Sequence, residues 1–205
     1  MSKNRLIIIQ FLSESEPQTG LVLANNAHQF AERIDTIDLY MPKSANELCE
    51  LMTTNIPKGI CKTDNVGIYL DSHGLETCGG IGNGTDFIDW ATLIQLIKRA
   101  MAILNNSPSL YLTACNGLSI RDHILSEKTP ISVLYAGDGI MKNGPVMWAF
   151  CQLFSEEGLC PSEKRIQEIN TYLKSRDCPP LQKIDFTKGI NKTPPVAAEI
   201  LSDKR

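Results

Sequence analysis

No apolar run in the 205-residue sequence approaches the roughly 18 residues that a membrane-spanning helix needs. The start is equally unlike a secretory leader. Met1 to Arg5 is polar, and only Leu6 to Leu12 follows as an apolar stretch, interrupted by Gln10. That is too short for a signal core with a cleavage site, so the expected location is cytoplasmic, with no membrane partner. Excess basic charge is missing too. Twenty Lys and Arg against 23 Asp and Glu give a formal charge of −3, which offers no electrostatic footprint for nucleic acid or an anionic membrane. No Cys-x-x-Cys pair occurs, and there are only three histidines, His28, His73 and His123. A zinc framework is not expected, and no metal or other cofactor is implied. The seven cysteines, at 49, 61, 78, 115, 151, 160 and 178, are odd in number and read as reduced thiols serving as small core residues, with Cys115 set apart. Internal repeats and low-complexity blocks are also absent. The glycines of Gly79-Gly80-Ile81-Gly82-Asn83-Gly84 lack Gly-x-Gly-x-x-Gly spacing, and Asp86 would repel a phosphate, so nucleotide binding is not indicated.

What remains is an ordinary globular composition, 42% hydrophobic and 21% charged, in a chain long enough to bury a sizeable core. Apolar strand-like runs alternate with helical stretches. Leu6 to Phe11, Ile37 to Met41, Val66 to Leu70, Leu110 to Thr113 and Ile131 to Ala136 read as strands, with a further short one over Leu181 to Phe186. Helices are expected over Leu21 to Ile34 and from Ser44 to about Thr53, with Ser44 as N-cap and Glu47 as its capping-box partner. Others are expected over Phe87 to Leu104, Leu118 to Leu125 and Gly144 to Phe154, and from Pro161 onward. In the longest, Phe87, Trp90, Ile94, Ile97, Met101 and Leu104 form one apolar stripe at spacings of three and four. This alternation predicts an α/β fold with a mostly parallel central sheet and helices on both faces. Residues 1–160 form the main domain. Residues 161–205 form a C-terminal helix and tail packed on it, with a weak boundary near Gly158 to Ser162; the tail from Lys188 onward reads as loose.

Two short motifs follow two of these strands: Ser72-His73-Gly74 and Ala114-Cys115-Asn116-Gly117. Parallel strands end on the same side of a sheet, where sites form. A histidine and a cysteine placed there can act as base and nucleophile, because an imidazole takes the thiol proton and later returns it to a leaving amine. The oxyanion of such a reaction needs fixed donors, and the backbone N–H groups of Gly74 and Cys115 are the candidates. Asp71 and Glu76 are the nearby acids, read either as orienting His73 or as ordinary polar positions.

The stretch Tyr69-Leu70-Asp71-Ser72-His73-Gly74, followed 42 residues later by Leu112-Thr113-Ala114-Cys115-Asn116-Gly117, resembles the caspase-like (clan CD) cysteine peptidases. That superfamily includes caspases, metacaspases, legumain-type enzymes, gingipains, separases and CHAT domains. The order and interval agree with those of caspases, where the histidine lies about 50 residues before an Ala-Cys motif. The resemblance covers about residues 64 to 155. It implies a three-layer caspase-like fold, a hairpin after the histidine for which Asn83-Gly84 is a turn signal, and hydrolysis of peptide bonds by Cys115 and His73. The partners it implies are a protein or peptide substrate and a regulatory protein. The caspase Gln-Ala-Cys-Arg-Gly is absent, since Thr113 and Asn116 stand where Gln and Arg would be. The likeness is therefore to the CHAT, legumain and gingipain types rather than to true caspases. Thr113 occupies the substrate-pocket position at which several relatives carry an acid. Asp138, after the next strand, either faces that pocket, favouring Arg or Lys before the scissile bond, or is a plain turn aspartate. The alternative to an endopeptidase is a catalytically inactive scaffold or regulatory binding protein of the same fold. An amidotransferase-type hydrolase fits less well, because its cysteine precedes its histidine.

Overall fold

A computed structural model describes residues 2–75 and 79–187. Glu76, Cys78 and the tail from Lys188 lie outside the described residues. In chain order the elements are β1 (Asn4–Phe11), α1 (Thr19–Asn25), β2 (Thr36–Tyr40), α2 (Ala45–Glu50), a π-helical segment (Leu51–Asn55) and α3 (Ile56–Gly59). There follow β3 (Asn65–Leu75), β4 (Gly80–Gly82), β5 (Phe87–Asp89), α4 (Trp90–Ala100), β6 (Ser109–Leu112), α5 (Ile120–Ser126), β7 (Val133–Gly137), α6 (Asn143–Glu157), α7 (Glu163–Ser175) and β8 (Leu181–Asp185).

The sheet has the order β2-β1-β3-β6-β7-β8. Its first five strands are parallel, and β8 runs antiparallel to β7 at the edge. Leu6, Ile7, Ile8 and Ile9 of β1 are all buried, as expected of a strand covered on both faces. On one face Ile7, Ile9, Ile68, Leu70, Leu110 and Leu112 pack against Leu48 of α2, Leu93 and Ile94 of α4 and Ile124 of α5. On the other, Leu6, Ile8, Tyr69, Tyr111 and Tyr135 pack against Leu23 of α1, Phe150 and Phe154 of α6 and Ile169 of α7. The result is a three-layer α/β fold with a mostly parallel sheet between the helices.

The second face fixes the strand register. Tyr69, Tyr111 and Tyr135 stand at one level across β3, β6 and β7. Tyr111 stacks on Tyr135 with ring centroids 4.8 Å apart, and Phe150 meets Tyr69 edge-on at 5.2 Å. Each such pair contributes about 0.5–1.5 kcal/mol beyond its buried area. A one-residue slip would turn all three rings to the opposite face.

Several local expectations are corrected. The strand reaching His73 does not stop short of it. β3 runs to Leu75, because His73, Gly74 and Leu75 pair antiparallel with β4. The helix expected from Phe87 begins at Trp90 instead. Phe87 to Asp89 form β5, Asp89 caps α4 by accepting from Thr92 N–H, and Phe87 is exposed rather than part of the stripe. The hairpin loop is four residues, with the Asn83 side-chain carbonyl accepting from Thr85 and Asp86 N–H. The helix expected over Leu21 to Ile34 ends at Asn25, and a 3-10 turn over Ala27–Gln29 follows. Ser44 caps α2 as expected, whereas the Glu47 carboxylate reaches Lys43 N–H, one residue earlier than in a capping box.

Among the described residues, no helix is long and apolar enough to cross a membrane. Among them, too, no group of three or more His, Cys, Asp or Glu side chains could hold a metal ion.

Candidate active site

The β3–β6 register pairs each residue with the one 42 positions later, from Gly67 with Ser109 to Leu70 with Leu112. His73 and Cys115 are separated by the same interval and lie just past the last pair of that ladder, where Gly74, next to His73, abuts the Cys115 backbone. The chains stay together past the last pair. Thr113 N–H donates to Leu70 C=O at 3.1 Å, and its hydroxyl donates to the Asp71 carboxylate at 2.9 Å. Side chains alternate along a strand, which sets His73 on the face of Tyr69 and Asp71. Cys115 packs against the cluster on that same face.

Gly74 makes this approach possible. A Cβ built on it would lie 1.7 Å from the Cys115 carbonyl oxygen and 2.8 Å from the Cys115 nitrogen. Only a residue without a side chain lets the two backbones touch here. The Cys115 turn itself is made by Asn116, at φ 54°, a left-handed conformation that Asn tolerates better than most residues. Gly139 C=O accepts from Asn116 N–H at 2.9 Å, and Ser119 Oγ, which donates to Asn116 C=O, accepts from the Trp90 indole. The turn is thus held from the β7–α6 loop on one side and from α4 on the other. Met141 N–H donates to Cys115 Sγ at 3.3 Å. The Cys115 N–H has no acceptor among the described residues and is free to serve one that enters.

The residue that the sequence reading missed is Glu16. The loop after β1 brings its carboxylate onto His73 Nε2. Its second oxygen accepts from Ser13 N–H at 2.9 Å, which fixes the carboxylate in place. A carboxylate only accepts, so Nε2 is the donor in this pair, and in the neutral imidazole that arrangement assigns the lone pair to Nδ1. The His73 side chain is 43% exposed, which leaves it open to an incoming molecule. The available signal was topological: β1 neighbours β3, so the loop Ser13-Glu14-Ser15-Glu16 leaves the sheet at the same edge as His73.

The other expected residues fall as follows. Asp71, a candidate to orient His73, is buried, and its carboxylate is taken by Thr19, Gly20 and Thr113. Glu76, the other candidate, lies outside the described residues. Thr113, expected to line a substrate pocket, is 9% exposed, and its hydroxyl points inward to Asp71. Asp138 is exposed in the loop that holds the Cys115 turn and has no partner among the described residues. His28 lies on the exposed 3-10 turn before β2, apart from the site.

The remaining described cysteines, Cys49, Cys61, Cys151, Cys160 and Cys178, are free thiols like Cys115. Burial pushes the Cys151 thiol up to about 11, so at neutral pH it is almost wholly protonated and unreactive. Brief treatment of the native protein with iodoacetamide at pH 7 is expected to leave Cys151 unmodified while exposed Cys61 reacts, as read by peptide mapping.

The sequence matches no family model, and no curated protein matches it.

Proposed function

We propose that the chain is a cysteine endopeptidase of the caspase-like kind. The observation that carries this reading is the backbone contact of Gly74, next to His73, with Cys115, together with Glu16 on His73 Nε2. In the proposed reaction, His73 Nδ1 takes the Cys115 proton as Sγ attacks the scissile carbonyl carbon. The tetrahedral oxyanion is held by the N–H groups of Cys115 and Gly74. Collapse breaks the C–N bond, and His73 returns its proton to the departing amine. Water, activated by the same imidazole, then hydrolyses the thioester and restores the thiol. Glu16 orients the ring and stabilises the imidazolium. Exposed Asp138 supports a preference for Arg or Lys before the scissile bond. The substrate is a protein or peptide, and no cofactor takes part in these steps.

A mixed peptide library incubated with the protein tests the reading, with new termini identified by mass spectrometry. The wild type is expected to cut, with Arg or Lys enriched before the new termini. A well-folded wild type that leaves the library intact would instead favour a non-catalytic scaffold of the same fold. Glu16→Gln is expected to slow cleavage about 10–100-fold, in line with loss of an orienting carboxylate. An unchanged rate would remove Glu16 from the mechanism.

A further inference from the structure

Beneath His73 and Cys115 lies a second, buried polar tier. Asp71 is 3% exposed and sits two residues before His73 on the same face of β3. Its Oδ2 accepts from the Thr19 hydroxyl and from Gly20 N–H at 3.0 Å. Its Oδ1 accepts from the Thr113 hydroxyl at 2.9 Å. Thr19 follows Glu16 by three residues, and Thr113 precedes Cys115 by two. One carboxylate therefore joins the three segments that carry Glu16, His73 and Cys115.

A neighbouring amide reinforces the first of these links. Gln10 stands beside Asp71 in the β1–β3 register and is 1% exposed. Its side-chain carbonyl accepts from Leu21 N–H at 3.0 Å, and its amide nitrogen donates to the Gln18 side chain. Gln18 in turn donates to Ser13 C=O at 2.9 Å and Glu16 C=O at 2.8 Å. The Glu16 loop is thus fastened to the same tier at both ends.

We propose that Asp71 is the positioning residue of this site, holding the Glu16 loop against His73 through Thr19 and Gly20 while it holds the Cys115 turn through Thr113. This rests on the peptidase reading, and Asp71 itself touches no reacting atom. Burial pushes the Asp71 carboxyl up, and the hydrogen bonds from Thr19, Thr113 and Gly20 pull it back. A buried acid with three donors converging on it is costly to truncate, because each donor then lacks an acceptor.

The test is the rate at which iodoacetamide modifies Cys115 at pH 7, read by peptide mapping against Cys61 in the same molecule. In the wild type, Cys115 is expected to react faster than Cys61. Asp71→Ala and Glu16→Gln are each expected to lower the Cys115/Cys61 ratio on the order of tenfold. The double variant is expected to fall no further, since both changes remove one coupled unit. Asp71→Asn keeps the volume, and its amide oxygen can accept from Thr19 and Gly20 while its NH2 donates to the Thr113 hydroxyl, whose proton turns to Leu70 C=O; it is expected to recover most of the wild-type ratio.

Should Asp71→Ala fail to fold, Thr19→Val carries the test, because it removes the hydroxyl part of the link to the Glu16 loop, leaves the Thr113 link intact and is expected to lower the ratio in the same sense. Additive losses in the double variant would overturn the proposal. So would a wild-type ratio in folded Asp71→Ala, or in Thr19→Val if Asp71→Ala does not fold. A wild-type Cys115 no more reactive than Cys61 would overturn the peptidase reading as well, which separates the two failures.

Discussion

Gly74→Ala is expected to lower peptide cleavage at least about 100-fold and to reduce stability by about 1–3 kcal/mol. The added methyl would stand 1.7 Å from the Cys115 carbonyl oxygen, 2.6 Å from its carbon and 2.8 Å from its nitrogen. All three are backbone atoms of a turn held by Gly139, Ser119 and Trp90, so no side-chain rotation relieves the clash. The strand and the turn must part, and a displacement of about 1 Å at a reacting pair costs on the order of 100-fold. Gly59→Ala is the matched control. Nothing lies within 4 Å of a Cβ at Gly59, in helix α3, so its cleavage rate is expected to stay at the wild-type value and its melting temperature at or slightly above it. Calorimetry and a peptide assay on both variants check the pair. Wild-type cleavage by Gly74→Ala would mean that the close backbone contact has no part in the chemistry.

Cys115→Ala is expected to have the larger effect on activity and the smaller one on structure. Without the sulfur there is no nucleophile, and hydrolysis is expected to fall to the uncatalysed background. Cys115 is half-buried, and its only hydrogen bond in the described structure comes from Met141 N–H. Losing it should change stability by about 1 kcal/mol or less, and so move the melting temperature by only about 2–4 °C. The two substitutions therefore separate the roles of neighbouring residues. One breaks geometry and chemistry together, and the other removes chemistry alone.

Much of the architecture was legible before the structure because it rests on local pattern. The buried run Leu6 to Ile9 and the alternation of strand and helix predicted a parallel sheet, and the sheet is there. Boundaries failed where tertiary pairing overrode periodicity. Phe87 fits the helical stripe by spacing alone, yet the hairpin with β4 draws it into a strand. Likewise β3 outlasts its apolar run because β4 supplies hydrogen-bond partners for His73 to Leu75.

The site divides in the same way. His73 and Cys115 stood out because motif and strand lie side by side in the sequence. Their 42-residue interval gains a physical meaning from the register, since it is the offset of the β3–β6 ladder. Glu16 was hidden because its relevance depends on which strand lies next to β3, a fact that no local pattern carries. Asp71 was noticed for proximity to His73, and its burial turns that proximity into a different task. Thr113 owes its expected pocket role to the resemblance alone, and its hydroxyl is engaged inward with Asp71.

The central claim, that Cys115 is a nucleophile served by His73, is tested most directly by an electrophilic peptide bearing Arg or Lys before an acyloxymethyl ketone. The measurement is the rate of its attachment at each cysteine in the wild type and in His73→Ala, read by peptide mapping. The account predicts selective modification of Cys115 in the wild type, slowed about 10²–10⁴-fold in the variant. Attachment at Cys115 no faster than at exposed Cys61, with no change in His73→Ala, would contradict it.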